Sequence, residues 1–295
     1  MTTPSERYHA DDVGCPEPSL SASIAKVLLD QSPRHAWTAH PKLNKHFKPV
    51  VRGDFDLGSA AHSLMLGDPK RFEIIVADNW RTGAAREKRD VARAAGLIPI
   101  LEQDMKRTEE MVEAGRLQLA AHAEASFAFE GGMAEQVITW QEDNGVWCRA
   151  MLYYTYPKLA LIDDYKTTGG SANPETWVGQ LFDRGYDIQA AFYMRGYRKI
   201  FDDLGFRFIV QENEPPYALS VVALTPAALE MANRKVARAI ELWSECLKSG
   251  KWPGYNSVTV TVDPPGWSEK KWLEREDREQ ADGELARKWL NWQAP

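Results

Sequence analysis

The chain has 295 residues, 44% hydrophobic and 26% charged, enough to bury the core of one large domain or two small ones. It has no run of about 18 apolar residues and no apolar centre in its polar opening, MTTPSERYHADDVGCPEP, so neither a membrane span nor a signal peptide is expected and the default location is cytoplasmic. A net charge of −6 argues against nucleic-acid binding through bulk charge, and Cys15, Cys148 and Cys246, widely spaced with no CxxC pair, read as free thiols.

Residues 1–18 read as a disordered tail. SLSASIAKVLLD predicts a helix capped by Ser19 or Ser21, with Ile24, Val27 and Leu28 as its stripe and Pro33 as its end. SPRHAWTAHPKLN reads as loop. FDLGSAAHSLMLGDP predicts a buried helix, and its small residues Gly58, Ser59, Ala60 and Ala61 allow a close approach to another element. FEIIVAD reads as a short strand, and Thr82 to Ala123 as helix broken near Gly96 and Pro99.

The pattern then changes period. MAEQVITW and VWCRAMLYYTY, joined at Asn144-Gly145, predict a hairpin. LALIDDYK is a third strand. The segment from Pro174 to Phe201 holds one or two helices, with Gln189, Tyr193 and Tyr197 on one face. FRFIVQE and YALSVVAL are strands, and TPAALEMANRKVARAIELWSECLKSG is a long amphipathic helix stopped by Gly250. WPGYNSVTVTVDPPGW reads as loop and strand, and the charged end, 268–295, as a surface helix or tail. The order predicts an α/β or α+β fold with a mixed central sheet flanked by helices.

Strand alternation sets Asp164 and Lys166 on one face and Asp163 and Tyr165 on the other. A carboxylate beside an ammonium can hold magnesium and stabilise charge growing on a phosphate, although a lone D-x-K triplet also serves as a strand-edge ion pair. His62, Glu135, Gln189 and Tyr193 are each unremarkable alone. The basic run RTGAAREKRDVARA, with Arg81, Arg86, Lys88, Arg89 and Arg93, is a solvated helix face or a patch for phosphates.

Taken in order, GSAAH, CRA before the third strand, IDDYKTT and YDIQAAFY resemble the PD-(D/E)xK nuclease superfamily. The nearest likeness is to RecE-type (exonuclease VIII-like) phage and prophage exonucleases, and it runs from about Ser19 to about Trp267. The resemblance implies a restriction-endonuclease-like core and a Mg2+- or Mn2+-dependent exonuclease that resects linear duplex DNA in phage-type recombination. It further implies a single-strand annealing protein as partner and a homo-oligomer. Residue by residue, it makes His62, Asp164 and Glu135 metal ligands and Lys166 the catalytic lysine. Gln189 and Tyr193 line the site and contact the DNA backbone. The chain departs from the family at one position: where the family places an aspartate on the second hairpin strand, this chain has Tyr153, a neutral phenol and a poor magnesium ligand. Asp163 faces the wrong way to replace it, whereas Glu135 could reach across. A catalytically impaired module that binds DNA ends is therefore the alternative, and a purely structural protein on the same fold is a third.

Overall fold

The computed structural model describes residues 5–48, 54–67, 72–201 and 203–281. The expectation of a disordered tail up to residue 18 is corrected from residue 5 onward. Helix α1 (Ser5–His9) buries Tyr8, and beyond it Asp11 is fully enclosed. Asp11 accepts the Ser19 N–H at 2.9 Å and the Ser19 hydroxyl, and meets Arg149 Nη1 at 3.1 Å. A carboxylate leaves water only where charge and hydrogen bonds replace it, so this segment folds with the body of the protein. Its partner Arg149 lies too far along the chain for local composition to reveal the pairing.

Helix α2 (Ala22–Asp30) begins as expected, with Ser21 accepting the Ile24 N–H. Pro33 ends it but does not open a loop. Ser32 caps a new helix, α3 (Pro33–Ala39), in which proline at the first position forfeits no hydrogen bond. Helix α4 (Asp54–Leu66) buries Ala60 and Ala61 completely. Strands β1 (Phe72–Ile75) and β2 (Ile98–Leu101) pair in parallel as a small separate sheet, with α5 (Gly83–Ala94) between them in sequence. The expected helical break near Gly96 and Pro99 is thus a turn into a strand. Gly96 takes φ +70°, and Pro99 lies in a two-stranded sheet, where each strand is an edge that tolerates a missing donor. Helix α6 (Glu102–Ala120) follows.

The central sheet contains β3 (Met133–Gln141), β4 (Trp147–Tyr156), β5 (Leu161–Thr168), β6 (Gly205–Glu212) and β7 (Leu219–Val222), hydrogen-bonded in that order. β5 and β6 are parallel and the other neighbours antiparallel, so the sheet is mixed as predicted. Helices α7 (Pro174–Asp183) and α8 (Tyr186–Tyr197) connect β5 to β6, and α9 (Pro226–Ser249) follows β7, ending at Gly250 with φ +67°. One face packs Leu152, Ile162, Phe208 and Val210 against α2, α8 and α9. The other packs Tyr165 and Ile209 with residues of α4 and α6, including Met65 and Met111. Successive residues on β6 supply opposite faces, as strand geometry requires.

This compact unit runs to Gly254, short of the expected boundary at 267, and Tyr255–Pro295 is a second unit. The strand expected in VTVTV is absent among the described residues: Val258, Val260 and Val262 are exposed and unpaired with any strand. Alternation makes a strand only where a neighbour completes the ladder. The charged end forms α10 (Gly266–Ala281), and residues 282–295 of the expected tail lie outside the described residues.

Candidate active site

The site begins with a fork in the sheet. β4 and β5 pair only at Tyr154–Asp163, Thr155–Ile162 and Tyr156–Leu161. Beyond that point β4 stays with β3 as far as Trp147, and β5 stays with β6 as far as Thr168. The first residues past the last shared pair are therefore Tyr153 on β4 and Asp164 on β5. The β3–β4 ladder skips the Glu135–Tyr153 pair, and Glu135 takes φ +47°, a region that non-glycine residues seldom occupy. Strain of this kind, about 1–3 kcal/mol per residue, gathers where function requires it.

On the α8 side of β5, Asp164 Oδ2 meets Lys166 Nζ at 2.8 Å, and the ammonium lies 4.7 Å from the centre of the Tyr186 ring. Asp164 is almost wholly buried, and its Oδ2 accepts no properly directed hydrogen bond. Tyr193 is buried beside this pair. Burial pushes its phenol well above the ordinary value, the charges of Tyr8 and Asp164 add to the shift, and a hydrogen bond with Gln189 opposes it. Of the predicted set, Asp164 and Lys166 meet directly and Tyr193 senses the Asp164 charge, while Gln189 stands one turn before Tyr193 on α8. Asp163 faces the other way, as alternation demands, and forms a two-point pair with Arg207 at 2.8 Å on each arm.

The other wall of the fork comes from α4 and β3. His62 Nε2 lies 3.6 Å from Glu135 Oε1. The His62 ring stands edge-on against Tyr153, centroids 3.7 Å apart, and the Tyr153 hydroxyl donates to the His62 carbonyl at 3.2 Å. α4 also runs close to β5, where a Cβ on Gly58 would make an ordinary contact with Thr167 Oγ1 at 3.9 Å. Burial holds the Tyr153 phenol protonated, its pKa raised well above the ordinary value, and the charges of Tyr165, Asp164 and Glu135 push it further. The same phenol senses both carboxylates, so Tyr153 stands between the Asp164–Lys166 pair and the His62–Glu135 pair.

Among the described residues, no three His, Cys, Asp or Glu side chains close around one point. His62, Glu135 and Asp164, expected as one ligand group, are instead two pairs flanking a tyrosine. A hard dication still fits this donor set. Magnesium is ordinarily held by one or two carboxylates, with waters and substrate phosphates completing its shell. Asp164 and Glu135 are the carboxylates that could serve, and Asp164 Oδ2 is a buried oxygen without a directed donor.

The basic segment lies elsewhere. Arg81 precedes α5, which carries Arg86, Lys88, Arg89 and Arg93 and packs on β1 and β2. Arg86 and Lys88 are exposed, and Arg89 Nε is paired with Asp90 at 2.9 Å. One contributor escapes sequence reasoning: Tyr186, whose ring lies 4.7 Å from the Lys166 ammonium, could have been flagged as an aromatic opening α8.

Residues 21–260 match the family model described as a PDDEXK-like domain of unknown function (DUF3799). No curated protein matches the chain. A candidate exonuclease from Eubacterium rectale superposes with a TM-score of 0.55 at 16% identity, over 91% of this chain and 98% of that one. A phage-related exonuclease from Haemophilus somnus 129PT aligns over 71% of this chain and 100% of its own, with 12% identity and a TM-score of 0.29. The first of these likenesses shares the fold, a mixed central sheet flanked by helices, as the family resemblance implies. With the family model spanning most of its length, the chain belongs to the PDDEXK-like domain family.

Proposed function

We propose that the fork is the hydrolytic site of a Mg2+- or Mn2+-dependent exonuclease that resects linear duplex DNA. The observation that carries this reading is the Asp164–Lys166 pair, buried at the split of β4 and β5 with a carboxylate oxygen short of donors. Asp164 and Glu135 are the groups that would hold the cation, with His62 fixing Glu135. When bound, the cation supplies Lewis acidity toward a phosphate oxygen and a water activated for attack.

The protein's own groups do the rest. Lys166 keeps its ammonium at the fork between Asp164 and the Tyr186 ring, ready to face negative charge growing on a phosphodiester. Gln189, one turn from Tyr193 on α8, offers an amide to the DNA backbone, and exposed Arg86 and Lys88 of α5 offer phosphate contacts that carry no sequence information. Tyr153 favours a second reading, a module that binds DNA ends but hydrolyses them slowly, because a protonated phenol replaces a charge at the fork.

A linear duplex labelled at one end separates the two. Loss of label in Mg2+ or Mn2+ with the wild type, abolished in Lys166→Ala, supports the exonuclease. Retained label with a stable complex supports the binding module. Neither cleavage nor binding overturns both.

A further inference from the structure

We propose that this site captures its divalent cation together with the DNA rather than before it, and that Tyr153 is the residue that enforces this order. The inference rests on the reading of the fork as a phosphodiester site and adds a rule for how it is loaded.

The argument is a count of charges and donors. Each carboxylate at the fork already has an internal partner: Lys166 Nζ at 2.8 Å from Asp164 and His62 Nε2 at 3.6 Å from Glu135. An incoming dication must compete with both. Two carboxylates against one ammonium leave at most a single net negative charge. Tyr153, on the strand between the two pairs, adds none: its hydroxyl is spent on the His62 carbonyl, and its ring meets the His62 ring edge-on, centroids 3.7 Å apart. Affinity for a hard cation follows the number of charged oxygens offered, and no three acidic or imidazole groups close on one point among the described residues. A DNA phosphate supplies both the missing charge and the missing oxygen. It also gives the Lys166 ammonium another anion to face, freeing Asp164. Coupling of this kind is reciprocal: the cation must tighten DNA by the factor by which DNA tightens the cation.

The test measures binding, not turnover. Free Mn2+ is followed by its paramagnetic resonance signal in titrations of the wild type, Tyr153→Phe and Tyr153→Asp. Each is run with and without a short blunt duplex whose terminal linkages are phosphorothioate, so that it is not consumed. The wild type should bind Mn2+ at least about tenfold more tightly with the duplex than without it. Tyr153→Phe should behave likewise, because the phenol oxygen is not a ligand. Tyr153→Asp should bind Mn2+ without DNA at least about tenfold more tightly than the wild type, with the dependence on DNA reduced. The proposal is overturned if the wild type binds Mn2+ equally well with and without duplex. It is also overturned if Tyr153→Phe loses the coupling, or if a folded Tyr153→Asp gains nothing. Should Tyr153→Asp not fold, the wild-type and Tyr153→Phe titrations decide. A protein that couples nothing yet degrades end-labelled duplex overturns only the loading rule, whereas one that binds no duplex in any metal also overturns the function on which the rule rests.

Discussion

Asp163 and Asp164 are neighbours in sequence, both buried, and they face opposite sides of one strand. Asp163 is fully served: Arg207 meets both its oxygens at 2.8 Å, and the same guanidinium donates to the Glu124 carbonyl and lies 5.2 Å from the Phe127 ring centre. Asp164 has one ammonium at 2.8 Å and an Oδ2 that no donor addresses properly. Identical chemistry thus has two fates. A buried carboxylate closed on every side is part of the scaffold. One left short of donors at a fork in the sheet retains the capacity to take on something else.

The comparison is broken most forcefully at Asp163. Asp163→Ala leaves a largely buried guanidinium without its counter-charge and should cost about 3–5 kcal/mol of stability, read as a fall in the urea midpoint. Activity per folded molecule should be unchanged. Across the strand, Lys166→Ala also leaves a buried acid without its counter-charge and costs stability, but here DNA degradation per folded molecule should drop about 10²–10³-fold. A Lys166→Ala protein that retains cleavage would make the two acids equivalent and dissolve the contrast.

A third buried acid, Asp11, extends the test to pH. Its neighbours are Arg149, Lys42 and His40, whose Nε2 lies 3.4 Å away. Burial pulls the His40 pKa from 6.5 down to about 4, helped by Arg149 and Lys42 and opposed by a hydrogen bond to the Ser19 carbonyl and by Asp11. The folded state therefore keeps His40 neutral in a range where the unfolded chain protonates it. Because the unfolded state binds more protons between about pH 4 and 6.5, stability rises with pH across that window and falls as acid is added, by up to about 1.4 kcal/mol per pH unit. His40→Gln should flatten this part of the stability profile in thermal melts from pH 4 to 7. An unchanged slope would place the acid sensitivity elsewhere.

Much of the fold was legible because its signals are local. The Asn144-Gly145 turn, the alternation of LALIDDYK and the Gly250 stop each act within a few residues, and the structure contains all three. The facing of Asp164 and Lys166 followed from strand geometry alone. What escaped depends on distant partners. The ordering of residues 5–18 needs Arg149, and the failure of VTVTV to form a strand reflects a missing neighbour. The start of α3 at Pro33 is the local exception, set by the Ser32 cap. At the site, sequence supplied the cast but not the grouping. The division of His62, Glu135, Asp164 and Lys166 into two pairs follows from a fork that no single strand encodes, and Tyr153, visible as a departure, became interpretable only with its hydroxyl on the His62 carbonyl.

The smallest effect tests whether a half-served carboxylate is by itself a mark of function. Asp187 is fully buried, its Oδ2 takes Lys235 Nζ at 2.7 Å, and its Oδ1 has no partner, so by hydrogen bonds alone it resembles Asp164. Its position differs. Asp187 lies in the first turn of α8, where the unpaired N–H groups of a helix favour negative charge without any added ligand. Lys235 is more than one-third exposed, which screens its contribution. Lys235→Met should therefore cost only about 1 kcal/mol in a denaturant titration and leave both DNA degradation and duplex-coupled Mn2+ binding at wild-type levels. If it instead suppresses either as Lys166→Ala does, the distinguishing feature is the ammonium–carboxylate pair rather than its place at the fork, and the site must be redrawn to include the start of α8.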